Sequence, residues 1–114
     1  MDQRLLRCRT DRDAADRPAK EPKLPTDYFD GPDNVHVTPY GGLVLAEDGD
    51  GVNGLIGWTE DTGAFRLARN DIDFEGGNSE MTGPTCSPDR RVLFANVQEP
   101  GHCFAIHSPF DRVF

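Results

Sequence analysis

The sequence predicts an all-β protein, a partial β-propeller of about two blades behind a disordered N-terminal tail, and three observations carry that reading. Among 114 residues there are twelve Gly and nine Pro. They punctuate the chain too often for long helices, because Gly supplies positive φ and Pro removes a backbone donor. From Tyr28 onward, short runs of β-forming residues alternate with Gly, Pro, Asp and Asn, the pattern of successive antiparallel strands. In addition, Thr38-Pro39-Tyr40-Gly41-Gly42-Leu43-Val44-Leu45-Ala46 aligns without gaps on Ser87-Pro88-Asp89-Arg90-Arg91-Val92-Leu93-Phe94-Ala95, an offset of 49 residues that also carries residues 54–58 onto 103–107. Repeats of roughly 40 to 50 residues with four strands each are what propeller blades look like.

Residues 1–29 mix both charges, place Pro at 18, 22 and 25, and beyond Leu5 and Leu6 show no apolar period. They are expected to form a disordered or fraying tail. Residues 30–114 are expected to form one incomplete propeller segment. Its first blade, 35–70, takes strands over 35–37, 43–47, 54–59 and 64–70; a partial second blade, 81–110, takes strands over 81–86, 92–97 and 103–107. Leu43, Leu45, Leu55, Ile56, Trp58, Leu93, Phe94, Phe104 and Ile106 are expected to supply the apolar contacts. Between strands, Gly41-Gly42 and Gly76-Gly77 are turn chemistry, since no helix start follows either pair. Asp48-Gly49-Asp50-Gly51-Val52-Asn53-Gly54 sets carboxylates at alternate positions, as a calcium loop does. An EF-hand, however, needs a bidentate Glu at its twelfth position and flanking helices. Thr59 stands there and strands flank it, so the run reads as a Gly-rich hairpin connection. Fewer than about three stacked repeats rarely hold together alone. The chain is therefore expected to belong to a longer ring, to self-associate through exposed blade faces, or to be poorly stable by itself.

The formal net charge is −8, and it is unevenly placed. Seven basic and seven acidic residues balance within 1–30, so the whole excess lies beyond, where five arginines meet thirteen carboxylates. Such a field repels a polyphosphate backbone, which excludes nucleic acid as a partner and favours multivalent cations as ligands. The longest apolar run, residues 43–46, is far short of the roughly 20 residues of a membrane helix, and no membrane partner is expected. The opening MDQRLLRCRTDRD builds no apolar signal core, which by itself points to the cytoplasm.

Cys8, Cys86 and Cys103 stand too far apart for a CxxC zinc or redox motif, so three thiols are expected, with Cys86 and Cys103 buried. His36, His102 and His107 fall on different strands or turns, and no serine or cysteine has a nucleophile's context, so no catalytic triad is expected. His36 alternates with Val35 and Val37 and is expected to be exposed. What remains are four polar motifs at strand ends: Gly31-Pro32-Asp33-Asn34, Leu45-Ala46-Glu47-Asp48, Ala68-Arg69-Asn70 and Ser79-Glu80-Met81-Thr82-Gly83. In a propeller, strand ends open onto the central channel, where oxygens from several blades can converge on one hard cation. An Asx turn at Asp33-Asn34 and a solvated hairpin end at Glu47-Asp48 are the alternatives.

Taken in order, Asp30-Gly31-Pro32-Asp33-Asn34-Val35, the run from Pro39 to Asp48, Ala68-Arg69-Asn70, Ser79-Glu80-Met81-Thr82-Gly83, and Ser87-Pro88-Asp89 through Gln98 with Pro100-Gly101 resemble the C-terminal part of PhoX-type alkaline phosphatases. The resemblance spans about residues 28–110. It implies a propeller whose acidic side chains hold calcium and iron, and phosphate-ester hydrolysis in which metal neutralises phosphoryl charge and generates or orients the attacking oxygen. It also makes Asp33, Asn34, Glu47, Asp48 and Glu80 the candidate metal ligands, and Arg69 and Asn70 the candidate substrate-side residues. The family's members run to several hundred residues and are usually exported through a twin-arginine signal. The turn residue after Ser-Pro-Asp is normally Gly, here Arg90, and an aromatic is common where Cys86 stands. With most of the ring outside this chain, the resemblance implies a segment inactive alone. Two other readings stay open: a noncatalytic propeller interaction module whose acidic motifs are turns, and a calcium-dependent propeller lactonase-like hydrolase. Calcium binding separates the former from the enzymes, and phosphate-ester against lactone turnover separates the enzymes from each other.

Overall fold

The computed structural model describes residues 6–8, 29–107, 110 and 114, the first three as backbone only. Its strands are β1 (Leu6–Cys8), β2 (Pro32–Val37), β3 (Leu43–Glu47), β4 (Gly54–Thr59), β5 (Gly63–Asn70), β6 (Met81–Cys86), β7 (Val92–Val97) and β8 (His102–His107). They form two antiparallel sheets, one in the order β1-β5-β4-β3-β2 and one in the order β6-β7-β8. The protein is all-β, and all seven strands expected from the sequence form. The 49-residue repeat is structural as well, since β2, β3 and β4 map onto β6, β7 and β8 to within a residue. Even the turns correspond: Gly41 N–H donates to Thr38 O (3.4 Å) as Arg90 N–H donates to Ser87 O (2.9 Å). Gly41 has φ 91° and Arg90 φ 66°, so the place where the resemblance expects Gly is a left-handed position that Arg90 occupies at some steric cost.

One difference lies in the segment expected as a tail. Leu6, Arg7 and Cys8 pair with Asn70, Arg69 and Ala68, because β5 would otherwise present an open ladder edge. The remainder of that segment up to residue 28 lies outside the described residues, as does most of the chain beyond His107.

Period-two alternation decides which side chains meet. Val44, Ala46 and Leu55 and their repeat equivalents Leu93, Ala95 and Phe104 are buried in one cluster with Phe65, Leu67, Met81 and Ile106. Phe114 extends it, stacking on Tyr40 (centroids 6.2 Å) and tilting against Phe65 (5.6 Å). Leu43 and Leu45 fall on the opposite face and are half-buried. Trp58 and Phe94, also expected as core contacts, are 38% and 40% exposed. Trp58 shares its sheet face with Val35 and Val37, which are themselves 63% and 72% exposed.

His36 corrects the exposure expected for it. The alternation with the valines holds, but the valines face solvent and His36 turns inward, where its Nε2 accepts from Cys86 N–H (3.1 Å). Two residues earlier Asn34 Oδ1 accepts from Gly83 N–H and from Thr82 Oγ1, both at 3.0 Å. Two side chains of β2 thus satisfy backbone donors of β6, and Asn34 touches its own repeat equivalent, Gly83. The thiols also differ from expectation: Cys86 is half-buried and Cys103 exposed, because Phe104 beside it takes the core-facing position.

Candidate metal centre

Three backbone features bring carboxylates together at one end of the sheets. Pro32 pairs with Glu47 and Asn34 with Ala46, which leaves Asp33 as the extra residue of a β-bulge. A bulge re-aims the side chain it carries. Asp48 follows the last residue of β3, and its N–H donates to Gly31 O (3.0 Å), which ties it to the strand bearing Asp33. Glu80 directly precedes β6, and its carbonyl accepts from Gln98 N–H (3.1 Å). As a result, one carboxylate oxygen from each of Asp33, Asp48 and Glu80 lies within 4.8 Å of the others. Asp33 and Asp48 are exposed and Glu80 is half-buried.

Oxygens bound to calcium at about 2.3 to 2.6 Å stand at most about 5 Å from one another, so this spacing fits a single ion. An all-oxygen, anionic donor set suits a hard cation and not a thiophilic one. The electrostatics agree. Desolvation raises the Glu80 carboxyl from its ordinary value, the charges of Asp48 and Asp33 raise it further, and a hydrogen bond with Gln98 opposes them.

Of the five candidate ligands, the structure brings these three together and assigns the other two different contacts. Asn34 has its oxygen engaged by β6, while its Nδ2 donates to Asp33 Oδ1 (3.2 Å) and so orients that carboxylate. Glu47 is fully buried; its Oε2 pairs with the Arg66 guanidinium (2.6 Å) and its Oε1 accepts from Asp30 N–H (3.1 Å). Among the substrate-side candidates, Arg69 is exposed and its Nε donates to Asp71 Oδ1 (2.6 Å), a contact that raises the guanidinium further above its ordinary value. Asn70 is buried, accepting from Ile72 N–H (2.9 Å) and donating to Ser79 O (3.0 Å).

Asp30, not among the candidate ligands, also touches the turn that follows Asp48. Its Oδ2 accepts from Gly51 N–H (2.6 Å), and a Cβ added to Gly49 would lie 1.9 Å from its carboxyl carbon. The alternating glycines of the 48–53 turn were the available signal, since they let a side chain approach the backbone closely. Asn53 and Asn78 were not among the candidates either.

No curated protein and no solved structure matches the sequence. A family model described as "Alkaline phosphatase PhoX" matches residues 4–101. That match begins before the Asp30 motif, takes in the stretch that forms β1, and contains all three converging carboxylates. With most of its length covered in this way, the chain belongs to the PhoX alkaline phosphatase family.

Proposed function

We infer that this chain is part of a metal-dependent phosphomonoesterase, in which Asp33, Asp48 and Glu80 contribute carboxylates to a hard divalent cation, calcium or iron. The observation that carries the reading is the convergence of three carboxylates from three separate segments in a chain of a phosphatase family. Bringing like charges together costs free energy that a cation offsets. When bound, such a cation supplies neutralisation of phosphoryl charge and Lewis acidity. The chain's own residues then divide the work. Asp33 and Asp48 offer exposed oxygens on the side where an ester can approach, Glu80 anchors the inner side, and Asn34 orients Asp33. Arg69, near the end of β5, is the phosphate-side candidate, restrained by Asp71; Asn70 is a brace and not a substrate contact.

The two sheets, built on one strand pattern, are read as consecutive propeller blades. Family membership favours phosphate esters over lactones as the substrate class. Calcium takes about 6 to 8 oxygens, which three carboxylates fill only in part, so this chain alone is not expected to turn over an aryl phosphate. Calorimetric titration with calcium tests the reading: binding is expected, and Asp48→Asn should abolish it. No binding by the unaltered chain would overturn the metal assignment, and robust aryl-phosphate turnover would overturn the argument for an incomplete shell.

A further inference from the structure

We propose that Asn53, Asn70 and Asn78 are positioning residues that fix the separation of Asp48 and Glu80, and so set the affinity of the carboxylate centre. The proposal rests on the metal reading above. Asp48 and Glu80 belong to separate segments, the 48–53 turn and the stretch that leads into β6, and like charge drives them apart. Three asparagines join those segments. Asn53 Oδ1 accepts from Gly49 N–H (2.8 Å), and its Nδ2 donates to Gly49 O (3.1 Å) and to Asn78 O (3.3 Å). Asn53 N–H donates to Asn78 Oδ1 (2.8 Å), and Asn53 O accepts from Asn70 N–H (2.9 Å). The Asn78 amide donates to Asn70 O (2.9 Å) and to Ile72 O (3.3 Å), while Asn70 Nδ2 donates to Ser79 O (3.0 Å).

The network therefore grips Gly49, the residue after Asp48, and Asn78 and Ser79, the residues before Glu80. Asn53 and Asn70 are each 1% exposed, with their amide groups engaged. A satisfied buried network of this kind rigidifies what it joins. The residue type matters, because each amide both donates and accepts, and an ionised carboxylate can only accept.

Terbium luminescence of the chain, read as affinity and as emission lifetime, separates positioning from charge. Asn78→Asp keeps the acceptor for Asn53 N–H, loses the donations to Asn70 O and Ile72 O, and adds negative charge near Glu80. Positioning predicts weaker terbium binding, by about tenfold, with a shorter lifetime as water replaces protein oxygens. Equal or tighter binding at unchanged lifetime overturns the proposal. Ile106→Val, in the core of the second sheet, should lower the melting temperature without changing terbium affinity; if it weakens binding as much as Asn78→Asp does, general loosening is the cause and positioning is overturned. Should Asn78→Asp fail to fold cooperatively, Asn78→Ser is read in the same way. No terbium binding by the unaltered chain overturns the metal reading and this proposal together, whereas binding that Asn78→Asp leaves intact overturns positioning alone.

Discussion

Replacing Arg66 with methionine leaves the Glu47 carboxylate buried without its guanidinium partner. The Glu47 side chain is 0% exposed and that of Arg66 34%, with Nη1 to Oε2 at 2.6 Å. Breaking a buried ion pair by removing one partner costs about 3 to 5 kcal/mol. Because water reaches a third of the Arg66 side chain, the lower end applies, about 3 kcal/mol, a large part of the roughly 5 to 15 kcal/mol that a domain commands. The assay is urea unfolding of Arg66→Met, Glu47→Gln and the double variant. The double variant should return to within about 1 kcal/mol of the unaltered chain, since a neutral pair leaves no stranded charge. Calcium titration of Glu47→Gln adds the functional half: the residue's oxygens already serve Arg66 and Asp30, so the cation should bind as before. Arg66→Met within about 0.5 kcal/mol of the unaltered chain would refute the stability argument, and loss of calcium binding in Glu47→Gln would make Glu47 a ligand after all.

Three further outcomes follow from the same geometry. Because folding raises the Glu80 carboxyl above its ordinary value, the folded chain binds this proton more tightly than the unfolded one; cation-free stability should therefore fall as pH climbs from that ordinary value through the raised one, and level off above it. Urea midpoints against pH check this, and Glu80→Gln should flatten the slope. Arg90→Gly, which relieves a left-handed residue at φ 66°, should raise stability by about 0.5 to 1 kcal/mol in thermal unfolding. The solvent-facing side of the first sheet carries Val35, Val37 and Trp58, so the chain should associate with rising concentration in sedimentation velocity, and Val37→Lys should reduce that association.

The strands from β2 to β8 were legible because turn residues bracket each apolar run, and the offset between Thr38 and Ser87 ties the two sheets to one pattern; β1, in the segment expected as a tail, was not. Less legible was which face of each strand the second sheet would cover. Alternation says that His36 opposes Val35 and Val37, but not that β6 supplies Gly83 and Cys86 N–H groups for Asn34 and His36 to accept. The site divides in the same way. Asp33, Asp48 and Glu80 stood at strand ends where oxygens can converge, whereas Glu47, one residue from Asp48, is turned to Arg66 by the strand's two-residue period. The bracing roles of Asn53, Asn70 and Asn78 were invisible because their partners are backbone groups as many as 25 residues away, and no spacing rule announces such contacts.

Asp33 lies in the first sheet and Asp48 directly follows one of its strands, while Glu80 directly precedes the first strand of the second sheet, its carbonyl held by the Gln98 N–H. A cation bound among them would thus be a bond across the seam between two repeats. In a repeat array, stability separates into what each unit holds by itself and what each contact between units adds. A ligand that binds only the assembled seam contributes to the second term alone, by an amount that grows with its concentration. Calcium would then strengthen a seam that the shared apolar core and the contacts of Asn34 and His36 with β6 already hold, and a chelator would remove only that added part.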